Sequence, residues 1–147
     1  MWFKNLIIYR LPDGWSIPAA ELEDQLSRRT LQPCGSFEMQ SRGWVHSSGA
    51  QRYVHTTNGQ HLIALGVDQK LLPGSIIKQV ATERAVQIAE QQGFPVGRRQ
   101  MRELKERVTE ELRARALTRR RITRAWIDPT NGWFVVDALY GDRKSVV

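Results

Sequence analysis

An α+β domain with a mostly antiparallel sheet is the architecture this sequence predicts, and three observations carry the prediction. Short segments rich in aromatic and β-branched residues occur in neighbouring pairs, which is how antiparallel strands joined by turns read. Asn58-Gly59 sits between two such segments and is the strongest short-range hairpin signal a sequence offers. Two longer stretches with apolar residues at helical spacing lie between the strand pairs. A chain of 147 residues is long enough for one compact core, and five tryptophans argue against disorder.

In chain order, residues 2–11 read as a strand that Pro12-Asp13-Gly14 interrupts. Pro18 opens a short helix with Leu22 and Leu26 on its apolar side, ending near Arg28-Arg29. Pro33-Cys34-Gly35-Ser36 is a loop, and Trp44-Val45 begins another extended piece. Residues 53–57 and 60–67 flank the Asn58-Gly59 turn. Pro73-Gly74-Ser75 leads into a helix carrying Ile77, Val80, Ala81, Ala85, Ile88 and Ala89, which Gly93 and Pro95 stop. A second long helix follows over roughly 98–117, with Met101, Leu104, Val108 and Leu112 as its apolar stripe. Residues 122–127 and 133–139 form the last hairpin around Asp128-Pro129-Thr130-Asn131-Gly132. The predicted order is β-α-β-β-α-α-β-β in a single domain over residues 2–141.

The six final residues, Asp142 to Val147, follow a strand without turn or cap logic. One codon set for them, GAT CGG AAG AGC GTC GTG, reads as a short-read sequencing adapter. They are expected to be adapter read-through on a truncated gene fragment and to lie outside the native fold.

Charge is distributed very unevenly. Between Arg98 and Arg124 stand eleven basic residues against four acids, a balance of +7 that equals the net charge of the whole chain. A neutral body with one concentrated cationic element implies a polyanionic partner, with nucleic acid the leading candidate. Charged helices are often only solvated faces held by local ion pairs, and Arg102–Glu106 and Glu103–Arg107 have the spacing for that. Two features point beyond it. On a helical wheel Arg102, Lys105 and Arg113 fall within about 60° of Arg98, in a strip beside the apolar stripe. The charge also continues past the helix into Arg119-Arg120-Arg121 and Arg124, where alternate residues of a strand face opposite ways. Arginine forks suit phosphate oxygens, and no zinc-finger spacing, leucine zipper or helix-turn-helix offers base readout. The candidate phosphate contacts are therefore Arg98, Arg102, Lys105, Arg113, Arg119, Arg120, Arg121 and Arg124.

Other chemistry is weakly supported. With a two-residue turn, His55 pairs with Leu62 and His61 with Thr56, so the two imidazoles point to opposite faces and share no ion. Cys34 is a lone thiol without an arguable base, and it suits a reducing cytosol. A metal-dependent nuclease needs clustered carboxylates, whereas Asp128 before Pro129 is turn chemistry. Gly93-Phe94-Pro95-Val96-Gly97 lacks the lysine and hydroxyl residue of a phosphate loop. Trp126 and Trp133 could stack on bases, though core packing is the more common role. No cofactor and no metal site are expected. No apolar run reaches the roughly 20 residues a membrane span needs.

The ordered set of short motifs resembles the RdgC family of bacterial recombination-associated proteins. The residues carrying the resemblance are Trp2-Phe3-Lys4-Asn5-Leu6 with Tyr9-Arg10-Leu11, Pro33-Cys34-Gly35-Ser36, Gly43-Trp44-Val45, His55 with Asn58-Gly59-Gln60, and Leu72-Pro73 with Ile77-Lys78-Gln79. Leu104-Lys105, Arg115-Ala116, Trp126-Ile127-Asp128, Asn131-Gly132 and Val136-Asp137 extend it. The resemblance implies sequence-independent binding of double-stranded DNA by a ring-shaped homodimer that restrains RecA-promoted strand exchange, with no catalytic activity. It also implies a cytoplasmic, nucleoid-associated protein whose chain is about twice this length, this sequence being the amino-terminal half. Three departures stand out. The 93–97 connector is short and lacks lysine, Arg113-Ala114 replaces a common leucine-proline pair, and the pattern ends from Leu139 onward. Among the candidate phosphate contacts only Lys105 falls within a family motif; the others rest on charge alone. The competing reading is a protein-interaction module whose arginines bind an acidic recombination partner.

Overall fold

The structure is a computed structural model, and it describes residues 3–49 and 51–137. The elements are β1 (Leu6–Arg10), α1 (Ala19–Ser27), β2 (Gln40–Val45), β3 (His55–Thr57), β4 (Gln60–Lys70), α2 (Gly74–Gln92), α3 (Arg98–Arg115), β5 (Thr118–Asp128) and β6 (Trp133–Asp137). This is the expected α+β class, with three strands (β2, β3 and β4) between α1 and α2 where the expected order has two. The strands form one sheet in the order β1-β6-β5-β4-β2, with the short β3 paired to β4. The β1–β6, β5–β6 and β3–β4 pairs are antiparallel.

Local sequence accounts for most element ends. Pro18 and Pro73 stand at the N-caps of α1 and α2 with φ of −60° and −61°, the value the pyrrolidine ring imposes. Their carbonyls accept the first helical hydrogen bonds, from Leu22 and Ile77. Gly93 ends α2 in the left-handed conformation at φ 83°, where a side chain would be strained. Asn58 and Gly59 both have positive φ, as the two-residue hairpin turn requires.

β3 starts at His55, two residues later than expected, and α3 ends at Arg115, two residues earlier. Four other boundaries differ for tertiary reasons. β1 begins at Leu6, because the Lys4 and Asn5 amides donate to Asp137 Oδ1 (3.1 and 2.8 Å) instead of to a strand. β2 ends at Trp44-Val45 where it was expected to begin, since Gly43 lies directly against the Thr30-Leu31 backbone. β4 runs three residues past Val67 to Lys70, whose amide donates to the Met39 carbonyl (2.8 Å). Its buried ammonium donates to the Gly35 and Ser36 carbonyls (2.6 and 3.3 Å). β5 starts at Thr118, so the three consecutive arginines belong to a strand. The ends expected at Trp2 and Leu139, and the Asp142–Val147 tail, fall outside the described residues.

The chain divides into two compact units. The first comprises the described residues of 1–32, 42–67 and 120–147. Its core joins Leu22 and Leu26 of α1 to Val54, Ile63, Ala125, Ile127 and Val136, with Ile7, Trp15, Trp44 and Phe134 packed around them. Glu23 ties α1 to the segment before β3 by accepting the Tyr53 and Val54 amides (3.0 and 2.6 Å). The second unit, residues 33–41 and 68–119, contains the α2–α3 hairpin. Ala81 and Ala85 of α2 meet Leu104 and Val108 of α3, flanked by Ile77, Val80, Ile88, Met101 and Leu112. These are the stripes expected from the spacing. Among the described residues no helix is long and apolar enough to cross a membrane.

Candidate nucleic-acid interface

Burying Leu104 and Val108 against α2 fixes the rotation of α3 and turns a basic strip outward. Arg98, Arg102 and Lys105, spaced four and three residues apart, line one groove of about 450 Å³ with Val96, Gly97 and Met101. All three cations are exposed, and none has a carboxylate partner among the described residues. The groove has an apolar floor and a cationic rim at the start of a helix, where backbone N–H groups add to the positive potential.

The expected Arg102–Glu106 and Glu103–Arg107 pairs do not form. Arg102 lies in the groove, and Glu103 instead pairs with Arg99 at 3.4 Å. Glu111 is the main acid of the hairpin, bound to Arg84 of α2 at 2.7 Å and to Arg115 at 2.9 Å. The Arg84 hydrogen bond, aided by its charge, holds the Glu111 carboxyl below the usual glutamate range. That pair could not be read from α3 alone, because Arg84 comes from the other helix.

The remaining candidates divide by position. Arg113 is half-buried, and its Nε is enclosed without a hydrogen-bond partner, so it does not share the open setting of Arg98, Arg102 and Lys105. Arg119 is exposed at the start of β5 in the second unit. Arg120, Arg121 and Arg124 belong to the first unit. Strand alternation puts Arg121 on the face of the buried Ala125 and Ile127, and Arg120 and Arg124 on the face of Trp126. Arg120 also borders a 350 Å³ pocket with Thr30, Leu31, Val45, His46 and Tyr53. Arg124 is half-buried and sits across the ladder from Asp137.

A basic residue outside the predicted set joins this group. Arg10 of β1 lies over the Trp133 ring at 4.5 Å, on the sheet face that carries Arg124. Only strand register brings Arg10 there. Neither Trp126 nor Trp133 belongs to a buried core cluster, and Trp133 is 40% exposed.

The groups considered for other chemistry are engaged in structure. Asp128 accepts the Asn131 amide and side chain (3.2 and 2.8 Å) and the Gln60 side chain (3.2 Å). Chiefly the Asn131 side chain keeps its pKa below the usual aspartate range. Asp137 is separated from it by four ladder positions, about 13 Å along the strands at ~3.3 Å per residue. His55 and His61 adopt the expected register opposite Leu62 and Thr56, and each imidazole bonds to a threonine, Thr57 or Thr56. Cys34 Sγ lies 3.5 Å from the Glu38 carbonyl. Among the described residues no group of three histidine, cysteine, aspartate or glutamate side chains could hold a metal ion.

Fold and site together define an α+β protein whose positive charge is concentrated on one helix and the strand that follows. The family model described as "Putative exonuclease, RdgC" matches residues 1–144. The chain is 53% identical over 138 residues to the recombination-associated protein RdgC of Herminiimonas arsenicoxydans. It is 51% identical to the proteins of that name from Janthinobacterium sp. (strain Marseille) and Dechloromonas aromatica (strain RCB). Each match covers 94% of this chain and 46%, 46% and 45% of the respective relative. The chain belongs to the RdgC family, and it spans about half the length of the curated relatives it matches.

Proposed function

We propose that the chain binds double-stranded DNA through the phosphate backbone, independently of sequence, and in doing so modulates RecA-promoted homologous recombination. The observation that carries this reading is the groove in which Arg98, Arg102 and Lys105 stand exposed without carboxylate partners. Three cations on one helical strip can follow a phosphate track but present no device for reading base edges. Arg119 and Arg124 add cationic positions on β5. The relatives' name, recombination-associated protein, supports the same setting. A homodimeric, cytoplasmic and nucleoid-associated protein belongs to this reading.

The protein acts on this reading as a binder and not as a catalyst. Although the family description includes the word exonuclease, Asp128 and Asp137 are too far apart to bridge the ~4 Å metal pair of two-metal nucleases. Incubation of supercoiled DNA with magnesium or manganese is expected to leave it intact; nicking that cofractionates with the protein would overturn this part.

Mobility shifts on unrelated duplexes at rising salt test the main proposal. With roughly five phosphate contacts, log affinity should fall against log salt with a slope of about −4 to −5. Strong preference for one sequence, or indifference to salt, would reject it. If the arginines instead bind an acidic protein partner, duplex DNA will not displace that partner unless the two sites coincide.

A further inference from the structure

The first unit has a second sheet face that carries exposed apolar side chains over β1, β6 and β5. The buried core cluster of this unit lies on one side of β5 and β6, where Ala125, Ile127 and Val136 meet Leu22 and Leu26 of α1. Register defines the other side as three rows across β1, β6 and β5. These are Leu6–Asp137–Arg124, Ile8–Val135–Trp126 and Arg10–Trp133–Asp128. Leu6 is 52% exposed, Ile8 57%, Trp133 40% and Ile122 42%, with Val135 and Trp126 half-buried.

An antiparallel sheet with one wet face alternates apolar and polar residues. β1 and β6 do not alternate: Leu6-Ile7-Ile8-Tyr9 and Trp133-Phe134-Val135-Val136 are continuous apolar runs, the pattern of strands buried on both faces. Of the four charged residues in these rows, three are engaged within the unit, and half-buried Arg124 stands across the ladder from Asp137. Asp137 accepts two β1-side amides, Asp128 is held by its turn and by Gln60, and Arg10 lies over Trp133. Such a face suits a dry protein surface better than a phosphate backbone, which would leave its aliphatic side chains unpaired.

We infer that this face is covered by the half of the family chain that the present sequence does not span. The matched segment is 46% of the Herminiimonas relative, so a polypeptide of comparable size remains to supply the covering layer. Covalent linkage gives such a layer an effective-concentration advantage over any separate partner. The occupant is an apolar surface of that remaining half, centred on Ile8, Val135 and Trp126. The inference takes Arg124 out of the phosphate contacts of the proposed function, which then rest on Arg98, Arg102, Lys105 and Arg119.

Hydroxyl-radical footprinting read by mass spectrometry tests it. This chain would be compared with a full-length chain made by joining the remaining half of the Herminiimonas relative to it. Phe37, 86% exposed and in the other unit, serves as a control. In the full-length protein without DNA and at submicromolar concentration, oxidation of Leu6, Ile8 and Trp133 should drop about five-fold, as expected when half-exposed side chains become buried. Ile8→Lys in the full-length protein should restore oxidation of Trp133. Equal oxidation of these residues in the two chains overturns the inference. Protection of the short chain that rises with its own concentration overturns it in favour of a second copy, and protection seen only with duplex DNA overturns it in favour of nucleic acid.

Discussion

Gly43 illustrates how a single residue sets the geometry of the first unit. A Cβ there would lie 2.4 Å from Leu31 N, 2.5 Å from Leu31 Cα and 2.6 Å from the Thr30 carbonyl carbon, all backbone atoms that cannot swing aside. Gly43→Ala must push β2 off the 30–31 segment and break the Trp44–Leu31 and Arg29–Trp44 backbone hydrogen bonds. The expected cost is about 3 kcal/mol, the upper part of the overpacking range, and a urea titration of wild type and variant measures it. Glu111 plays the corresponding part in the helical hairpin. Its carboxyl is depressed in the folded state, so the stability it contributes is complete above the ordinary glutamate pKa and is lost as pH falls through the lower folded value. Glu111→Gln should therefore lower the melting temperature near neutrality and flatten its decline on acidification. Thermal melts across the carboxylate range check both; parallel wild-type and variant curves would contradict it.

At the scale of elements, α3 has two distinct sides. Leu104 and Val108 were legible as a buried stripe because helical periodicity alone places them together. The strip of Arg98, Arg102 and Lys105 was legible for the same reason, since it lies next to that stripe. Arg113 shares the strip on the wheel but not the open environment, because burial near the end of a helix depends on what packs there. Arg102→Gln and Lys105→Gln should each reduce the salt slope of duplex binding by about 0.9, whereas Arg99→Gln, at a residue already paired with Glu103, should change it less. Fluorescence-anisotropy titrations at several salt concentrations measure the three slopes. The strand boundaries of β4 and β5 were harder to read. Lys70 gains its place from loop carbonyls supplied by residues 35 and 36, and consecutive arginines carry no alternation from which to read a strand.

For the molecule as a whole, charge and exposed apolar surface are the two properties that matter to partners. In the second unit the Lys70 amide bonds to the Met39 carbonyl and the Leu71 amide to the Leu117 carbonyl, so exposed Met39, Leu71 and Leu117 lie on neighbouring extended segments. Exposed apolar groups gathered in this way mark association surfaces. If the homodimer of the proposed function uses this patch, Leu117→Asp should shift sedimentation toward monomer and weaken DNA binding without altering the circular dichroism melt. An unchanged sedimentation profile would move the dimer contact elsewhere.

Composition, periodicity and turn chemistry were enough to determine the α+β class, the hairpin register at Asn58-Gly59, the two helical stripes and the concentration of positive charge after residue 97. Those properties depend on residues close in sequence, and local geometry converts them directly into faces and turns. Only the tertiary structure decided which arginines are paired or half-buried, that Arg10 stacks on Trp133, and that Leu6, Ile8 and Trp133 share one open face. Each of those outcomes depends on partners brought together from distant parts of the chain, which no local spacing encodes.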